Sequence, residues 1–85
     1  MSKVIVSTLM GTVENIQEIL PGEFAKVEAL KAEGVLKHLY IKEGNAGAVL
    51  VFEGLSLDKV KATVASFPLY PHFNQIDYAV ADQNF

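Results

Sequence analysis

The sequence of 85 residues contains no cysteine and no arginine. The absence of cysteine excludes disulfide bonds, a thiol nucleophile and a cysteine metal site, and it fits an intracellular, cytoplasmic protein. The absence of arginine, together with a net charge of −3, leaves no basic cluster that would hold phosphate groups. We therefore expect no nucleic-acid partner and no attachment to an anionic membrane.

Several motifs that carry chemistry are also missing. No apolar run approaches the roughly 20 residues that cross a bilayer, and the start, Met1 to Val6, is typical of a strand and not of a signal peptide. The stretch 44–47 opens no helix, so it is not a phosphate loop. There is no Gly-x-Ser-x-Gly turn, and no His-x-His or His-x-x-x-His spacing. We therefore expect no metal and no cofactor.

Apolar residues are what the chain has in excess. The hydrophobic fraction is 51%, at the upper end of the ordinary range of about 45–50%, although a short chain has much surface to cover. At this length we expect a single domain over residues 1–85. The apolar excess indicates that part of its surface is hidden against a second copy, in a homodimer or a larger homo-oligomer.

Hydrophobic periodicity predicts four strands, in segments rich in β-branched or alternating residues. They are expected over residues 3–10, 35–42, 47–53 and 75–81. The residues between the second and third strands, 43–46, contain Gly and Asn and predict a turn.

Spacings of three and four predict two helices. The first is expected mainly over residues 22–33, after a break at Pro21, with Gly34 as its C-terminal cap. The second is expected to begin at the N-cap Ser56 and to end at Pro68. The resulting order, βαββαβ, is typical of an α+β, ferredoxin-like fold with a four-stranded antiparallel sheet and both helices on one face.

The strands are apolar on both faces, whereas a sheet with one face in water alternates cleanly. In the second strand we expect Leu36, His38 and Tyr40 on one face and Val35, Leu39 and Ile41 on the other. Two helices cover one face only, so a second copy is expected to cover the other. The prediction is a homodimer with sheets packed face to face, a dimeric α+β barrel.

The connection over residues 66–73 combines Pro68 and Pro71 with large apolar or aromatic residues and one histidine. Proline lacks an N–H donor and fixes φ, so this segment ends the helix before it. A rigid aromatic connection is expected to lie on the core or to line a pocket.

The candidate catalytic residues are His38, Tyr40, His72 and Glu53. Histidine transfers protons near neutral pH, and a desolvated carboxylate also does so. Each residue has a structural interpretation as well. A histidine on a strand, such as His38, is commonly a core or interface residue, and tyrosine favours strands. His72 would cap the helix or pack at the dimer edge, and a glutamate at a strand end is commonly solvated. Asp77 is a weaker candidate of the same kind.

The candidate residues for binding a small-molecule substrate are large and apolar or aromatic, because they would line the expected pocket. They are Tyr70, Phe52, Phe67 and Leu36.

Residues 28–80 contain a series of short segments that match a known family in order and spacing: Leu30-x-x-x-Gly34, Lys37-His38-Leu39-Tyr40, Gly44, Val51-Phe52-Glu53 and Ser66-Phe67-Pro68-Leu69-Tyr70-Pro71. The chain resembles the muconolactone Δ-isomerase-like family of small dimeric α+β-barrel proteins. The resemblance implies a ferredoxin-like protomer, a dimer or larger ring, and a small-molecule pocket. In the isomerases the reaction is a proton shift that moves a double bond in a small anionic lactone.

The chain departs from that family at functionally important positions. Ile41 stands where the isomerases resembled carry an arginine, and residues 46–49 are small and apolar where polar and aromatic residues are expected. Lys37 or Lys42 would be a looser clamp for a carboxylate than arginine. The resemblance therefore implies the fold more firmly than the activity.

The leading hypothesis is an isomerase-like enzyme that shifts a proton in a small, fairly apolar cyclic metabolite such as a lactone. His38 would transfer the proton, Tyr40 and Tyr70 would orient the substrate, and His72 or Glu53 would assist. Two alternatives stay open: a non-enzymatic ligand-binding or assembly module of the same fold, and a cofactor-free monooxygenase.

Overall fold

The computed structural model describes residues 2–85, and the predicted order of elements is confirmed. The strands and helices are β1 (Ser2–Met10), α1 (Ile16–Ala32), β2 (Leu36–Ile41), β3 (Ala48–Glu53), α2 (Leu57–Ala65) and β4 (Phe73–Asp82). The strands form one antiparallel sheet in the order β2-β3-β1-β4. This is the expected ferredoxin-like arrangement, and within residues 2–85 no helix is long and apolar enough to cross a membrane.

Both helices pack on the same face of the sheet. The core cluster combines strand residues such as Val6 and Phe52 with Leu30 from α1 and with Val60 and Val64 from α2. Four of the core side chains are completely shielded from solvent: Phe52, Val6, Val60 and Val64. Burying each such side chain stabilises the fold by roughly 1.5–3 kcal/mol before the entropy of ordering it is subtracted.

The opposite face of the sheet, called here the outer face, is covered by neither helix. The strand registers place on it Lys3, Ile5, Ser7, His38, Tyr40, Val49, Val51, Glu53, Asp77 and Ala79. Its centre is apolar and half-buried, and its ends carry charges of both signs.

Helix α1 corrects the predicted break at Pro21. The helix runs without interruption from Ile16 to Ala32, with Pro21 inside it. Proline removes the hydrogen bond to the carbonyl of Gln17, but both residues are exposed, so water can satisfy that oxygen. Apolar residues before and after the proline lie over the same part of the sheet, and their packing outweighs the lost bond.

The predicted helix caps are confirmed. Gly34 has φ 79°, and the Val35 N–H donates to Leu30 O while the Gly34 N–H donates to Lys31 O, which is the Schellman arrangement. At α2, the Ser56 hydroxyl oxygen accepts the Lys59 N–H at 3.2 Å. Helix α2 ends at Ala65, so Phe67 lies just beyond it and not in its last turn.

Strand β2 corrects the predicted grouping of Leu36 with His38 and Tyr40. Leu36 pairs with Phe52 and His38 pairs with Val51, so an irregularity between them absorbs one residue of β2. The side chain of Leu36 therefore points into the core, while His38 and Tyr40 lie on the outer face. A bulge changes the face of every later residue in the strand.

Candidate functional site

A cavity of about 680 Å³ lies between α1 and one end of the sheet. It is bounded by α1, by the facing residues of all four strands, by the loops at residues 11–13 and 44–47, and by the connection that follows α2. Its volume falls within the range of about 300–1,000 Å³ that is usual for small-molecule sites.

The cavity is partly open to solvent, and two of its exposed lining residues lie on α1 and on the edge strand β2. Phe24 and Ile41 line it on these two sides and are 59% and 62% exposed. Large apolar side chains at a mouth allow an apolar molecule to enter without stripping water from charged groups.

The lining is mostly apolar, and its polar side chains are few. They are Thr8, Thr12, Gln17, Glu23 and Asn45. Among the lining residues that the structure describes, Glu23 alone carries an ionisable side chain. This single acid in an apolar cavity is the feature from which a chemical role can be argued.

Glu23 is held in place by the connection after α2. It lies on the sheet-facing side of α1, is 9% exposed, and its Oε1 accepts the backbone N–H of Leu69 at 3.0 Å. Leu69 follows Pro68 in a tight turn, where its N–H has no strand or helix partner. The contact therefore satisfies a backbone donor and fixes the carboxyl group at the same time.

Burial raises the pKa of the Glu23 carboxyl above its usual value, and the Leu69 N–H partly opposes this by favouring the charged form. A carboxyl group whose pKa is raised towards neutrality is a better proton acceptor when ionised, and it is available as a donor when protonated. Glu23 therefore has the properties of a general acid and base.

Thr8, in contrast, serves the fold. It is 1% exposed, and its hydroxyl oxygen accepts the Ala48 N–H at 3.0 Å, which ties β1 to the start of β3. The hydroxyl also lies 3.4 Å from Ala48 O, to which it donates. Its hydrogen-bonding capacity is used within the sheet.

The end wall of the cavity depends on a close approach of two backbones. The Met10 N–H donates to Ala46 O at 2.7 Å, and Gly47 is buried against β1. A Cβ atom added to Gly47 would overlap the carbonyl oxygen of Thr8. Only glycine fits at this position without moving one of the two segments.

The structure places His38 and Tyr40 on the outer face and not in the cavity. Their rings stack with centroids 6.2 Å apart, and Tyr40 is 58% exposed. Glu53 shares this face, where it forms an ion pair with Lys3. The hydrogen bond and charge of Lys3 lower the pKa of the Glu53 carboxyl, so it stays ionised and is a weak proton acceptor.

The other predicted residues are divided among three places. Tyr70 and His72 lie in the short turn before β4, where the exposed Tyr70 ring meets Phe73 edge-on at 6.5 Å. Phe52 and Leu36 belong to the core. Phe67 lines the cavity, as the aromatic connection was expected to do. The functional roles assigned to all eight residues stay predictions.

Glu23 falls inside the helix predicted over residues 22–33, but it was missed because the glutamates and lysines of this segment were expected on the solvent face. Leu20, Val27 and Leu30 lie three residues before, four after and seven after Glu23, which is the spacing of one helix face. This spacing places a carboxyl group on an apolar helix face, and that is the signal that could have found it.

The described residues form no group of three or more His, Asp or Glu side chains that could hold a metal ion. No protein-family model and no curated protein sequence matches the chain.

Solved structures do match it. Muconolactone isomerase superimposes with a TM-score of 0.78 and 20% identity, over 99% of this chain and 91% of that one. The chain has the fold of muconolactone isomerase. The fold expected from the resemblance in residues 28–80 is therefore confirmed.

Two further structures share this fold. The 5-chloro-2-hydroxyhydroquinone dehydrochlorinase from Burkholderia phenoliruptrix AC1100, in complex with 2,5-dihydroxybenzoquinone, has a TM-score of 0.64 and 15% identity, over 96% of this chain and 93% of that one. An antibiotic biosynthesis monooxygenase has a TM-score of 0.64 and 21% identity, over 98% of both chains. At these identities the likeness concerns the fold, and function has to be argued from the site.

Proposed function

We propose that the protein is an isomerase-like enzyme that shifts a proton within a small cyclic molecule, such as a lactone, bound in the cavity between α1 and the sheet. The observation that carries the proposal is Glu23, a buried carboxyl group with a raised pKa in an otherwise uncharged lining. Proton shifts need a positioned acid and base and no redox partner.

The reaction uses Glu23 twice. Its carboxylate removes a proton from a carbon beside a carbonyl group, the C–H electron pair forms a new C=C bond, and the carbonyl π electrons move onto oxygen. The protonated Glu23 then returns the proton to a different carbon, and the carbonyl group reforms. Thr12, Gln17 and Asn45 are neutral side chains in the lining that can donate hydrogen bonds to the enolate oxygen.

This proposal transfers the proton-transfer role from His38 to Glu23. His38 and Tyr40 lie on the outer face and are not part of the described lining of this cavity. Their proposed role is then at the surface that meets a second copy. The expected catalytic role of His38 is kept as the competing prediction, and the variants below separate the two.

A second copy of the chain is proposed to cover the outer face, in a two-fold symmetric homodimer. The support is the half-buried apolar centre with Ile5, Val49 and Val51, which one chain leaves without a covering layer. A two-fold axis packs a surface against itself, so any charges on that surface must include both signs. The outer face carries both: Lys3 and Lys42 are its cations, and Glu53 and Asp77 are its anions.

A cofactor-free monooxygenase is the second candidate, favoured by the shared fold of the antibiotic biosynthesis monooxygenase. Glu23 would also serve this reaction, by removing a proton from a phenol. The electron-rich ring would then supply all four electrons that reduce O₂. The O–O bond breaks, one oxygen atom replaces a ring hydrogen and becomes a quinone carbonyl, and the other leaves as water with that ring hydrogen and the phenolic hydrogen. This candidate predicts oxygen consumption, and the proton shift predicts none.

The test is incubation with unsaturated lactones and hydroquinones in D₂O, followed by NMR and by an oxygen electrode. Deuterium at a ring carbon together with a moved double bond, without oxygen uptake, is the expected result. Oxygen uptake would replace the isomerase with the monooxygenase. If neither reaction occurs while ligands bind, the chain is a ligand-binding module.

A further inference from the structure

We propose that the cavity selects electrically neutral ligands and discriminates against carboxylates. This inference names the substrate class of the site and rests on the proposed function of that site. It sets the chain apart from an enzyme for an anionic lactone, although the fold is shared.

The first observation is the absence of positive charge from the lining. The chain has seven lysines and no arginine, and no lysine belongs to the described cavity lining. Lys26 is the lysine closest in sequence to Glu23 on α1, and it is not part of that lining.

The second observation is where the nearby lysines are engaged. The Lys42 ammonium group donates to the Ser7 hydroxyl at 2.8 Å, and Lys3 pairs with Glu53, both on the outer face. Lys61 of α2 lies over the ring of Tyr78, 5.5 Å from its centroid. Lys42 follows the lining residue Ile41, yet its charge is on the opposite side of the sheet from the cavity.

The third observation is the sign of the one ionisable group that is present. A bound carboxylate would lose its hydration, find no counter-ion, and face Glu23. When Glu23 is ionised, its negative charge and that of the ligand would lie in the same apolar cavity and repel each other. The ionised form of Glu23, which removes the proton, would therefore bind a carboxylate poorly. A neutral molecule avoids both penalties, because Thr12, Gln17 and Asn45 offer uncharged hydrogen-bonding groups.

The experiment compares ligands that differ in charge and little in shape. Muconolactone and its methyl ester form one pair, and benzoate and methyl benzoate form a second, with benzylamine as a cationic probe. Dissociation constants are measured at pH 7.5 by ligand-observed NMR and calorimetry. We expect each ester to bind at least about 100-fold more tightly than its acid, because the unpaired charge would be desolvated.

A charge introduced into the lining sharpens the test. Gln17→Lys places an ammonium group in the cavity and is expected to narrow the ester-to-acid ratio at least about tenfold. Glu18→Gln is the matched control, because it changes the net charge equally at a neighbouring exposed residue outside the lining, and it should leave the ratio unchanged.

The proposed selectivity would be overturned if an acid bound as tightly as its ester or more tightly, or if benzylamine bound more tightly than the esters. It would also be overturned if neither member of either pair bound. These outcomes are separate from failure of the proposed function. That failure appears as an ester that binds in the cavity without any proton shift, and it leaves the binding ratios in place.

Discussion

The two faces of the sheet differ in the partners that their charged side chains have. On the outer face, charged side chains have partners: Lys3 pairs with Glu53, and Lys42 donates to Ser7. On the helix-covered face, the one acid in the described cavity lining has a backbone N–H as its partner, and that lining contains no lysine. A paired charge contributes to structure, whereas burial without a counter-ion raises the pKa of an acid. This contrast is the basis for proposing catalysis in the cavity and assembly at the outer face.

The largest expected effect is on catalysis. Glu23→Gln keeps the size of the side chain and an oxygen that can accept the Leu69 N–H, but it cannot accept a proton from a ligand. We expect kcat to fall by about 10²–10⁴-fold with little change in KM. His38→Ala is the control on the other face, and its kcat should stay close to wild type. The opposite ranking of the two variants would return the catalytic role to His38.

The next effect concerns assembly. Val51 lies near the centre of the outer face, so Val51→Lys would bury an unpaired charge in the proposed dimer. We expect the dissociation constant of the dimer to rise at least about 100-fold, measured by analytical ultracentrifugation. Val80→Lys makes the same chemical change at a residue that is 57% exposed on the other face, and it should leave the dimer intact. A dimer that survives Val51→Lys would place the interface elsewhere.

A third effect tests the end wall of the cavity. Gly47→Ala would force a Cβ atom into the Thr8 carbonyl, so we expect a loss of about 1–3 kcal/mol in the free energy of unfolding, measured in urea. Gly11→Ala is the matched control, since its added Cβ would lie 3.5 Å from the Asn74 side chain, an ordinary contact. Equal stability of the two variants would mean that the backbones do not approach as closely as described.

The carboxyl groups of Glu23 and Glu53 are expected to make stability depend on pH in opposite directions. The pKa of Glu23 is raised in the folded protein, so its neutral form is favoured there, and stability falls as the pH rises from the unfolded pKa through the folded one. Glu23→Gln should remove this loss and gain stability relative to wild type above that range. Urea denaturation from pH 4 to pH 8 measures the difference, and a difference that does not change with pH would contradict the raised pKa.

The smallest effect is expected at Glu53. Its pKa is lowered by Lys3, so its contribution is present above the unfolded pKa and is lost as the pH falls through the folded one. Glu53→Gln should reduce stability slightly at neutral pH and not at low pH, and added salt should weaken the effect because the pair is partly exposed. A large loss at every pH would assign Glu53 a packing role instead.

Local patterns predicted the fold well because each element carries its own signal. The Schellman glycine Gly34 and the cap Ser56 are properties of a few neighbouring residues. The bulge before His38 is not a property of neighbouring residues alone. A bulge depends on pairing with another strand and has no fixed sequence pattern. Because of the extra residue in β2, Leu36 points into the core while His38 lies on the outer face.

The site was harder to predict than the fold. Glu23 and Leu69 are 46 positions apart in the sequence, and their contact exists only because α1 and the connection pack on the same end of the sheet. Val27 and Leu30 follow Glu23 at helical spacing, but a carboxyl group is ordinarily expected on the solvent side of a helix. Phe67 could be predicted, because a proline-rich aromatic segment has to bury its rings near the place where the helix ends.

The central claim, that small molecules bind between α1 and the sheet, is tested most directly by NMR mapping of a bound neutral ester such as methyl benzoate. The backbone amide of Leu69 is the reporter, because its N–H donates to Glu23. The account predicts shifts for Leu69 and for lining residues such as Asn45 and Phe67, while His38 and Tyr40 stay unchanged. Shifts confined to His38 and Tyr40 would contradict it and move the site to the outer face.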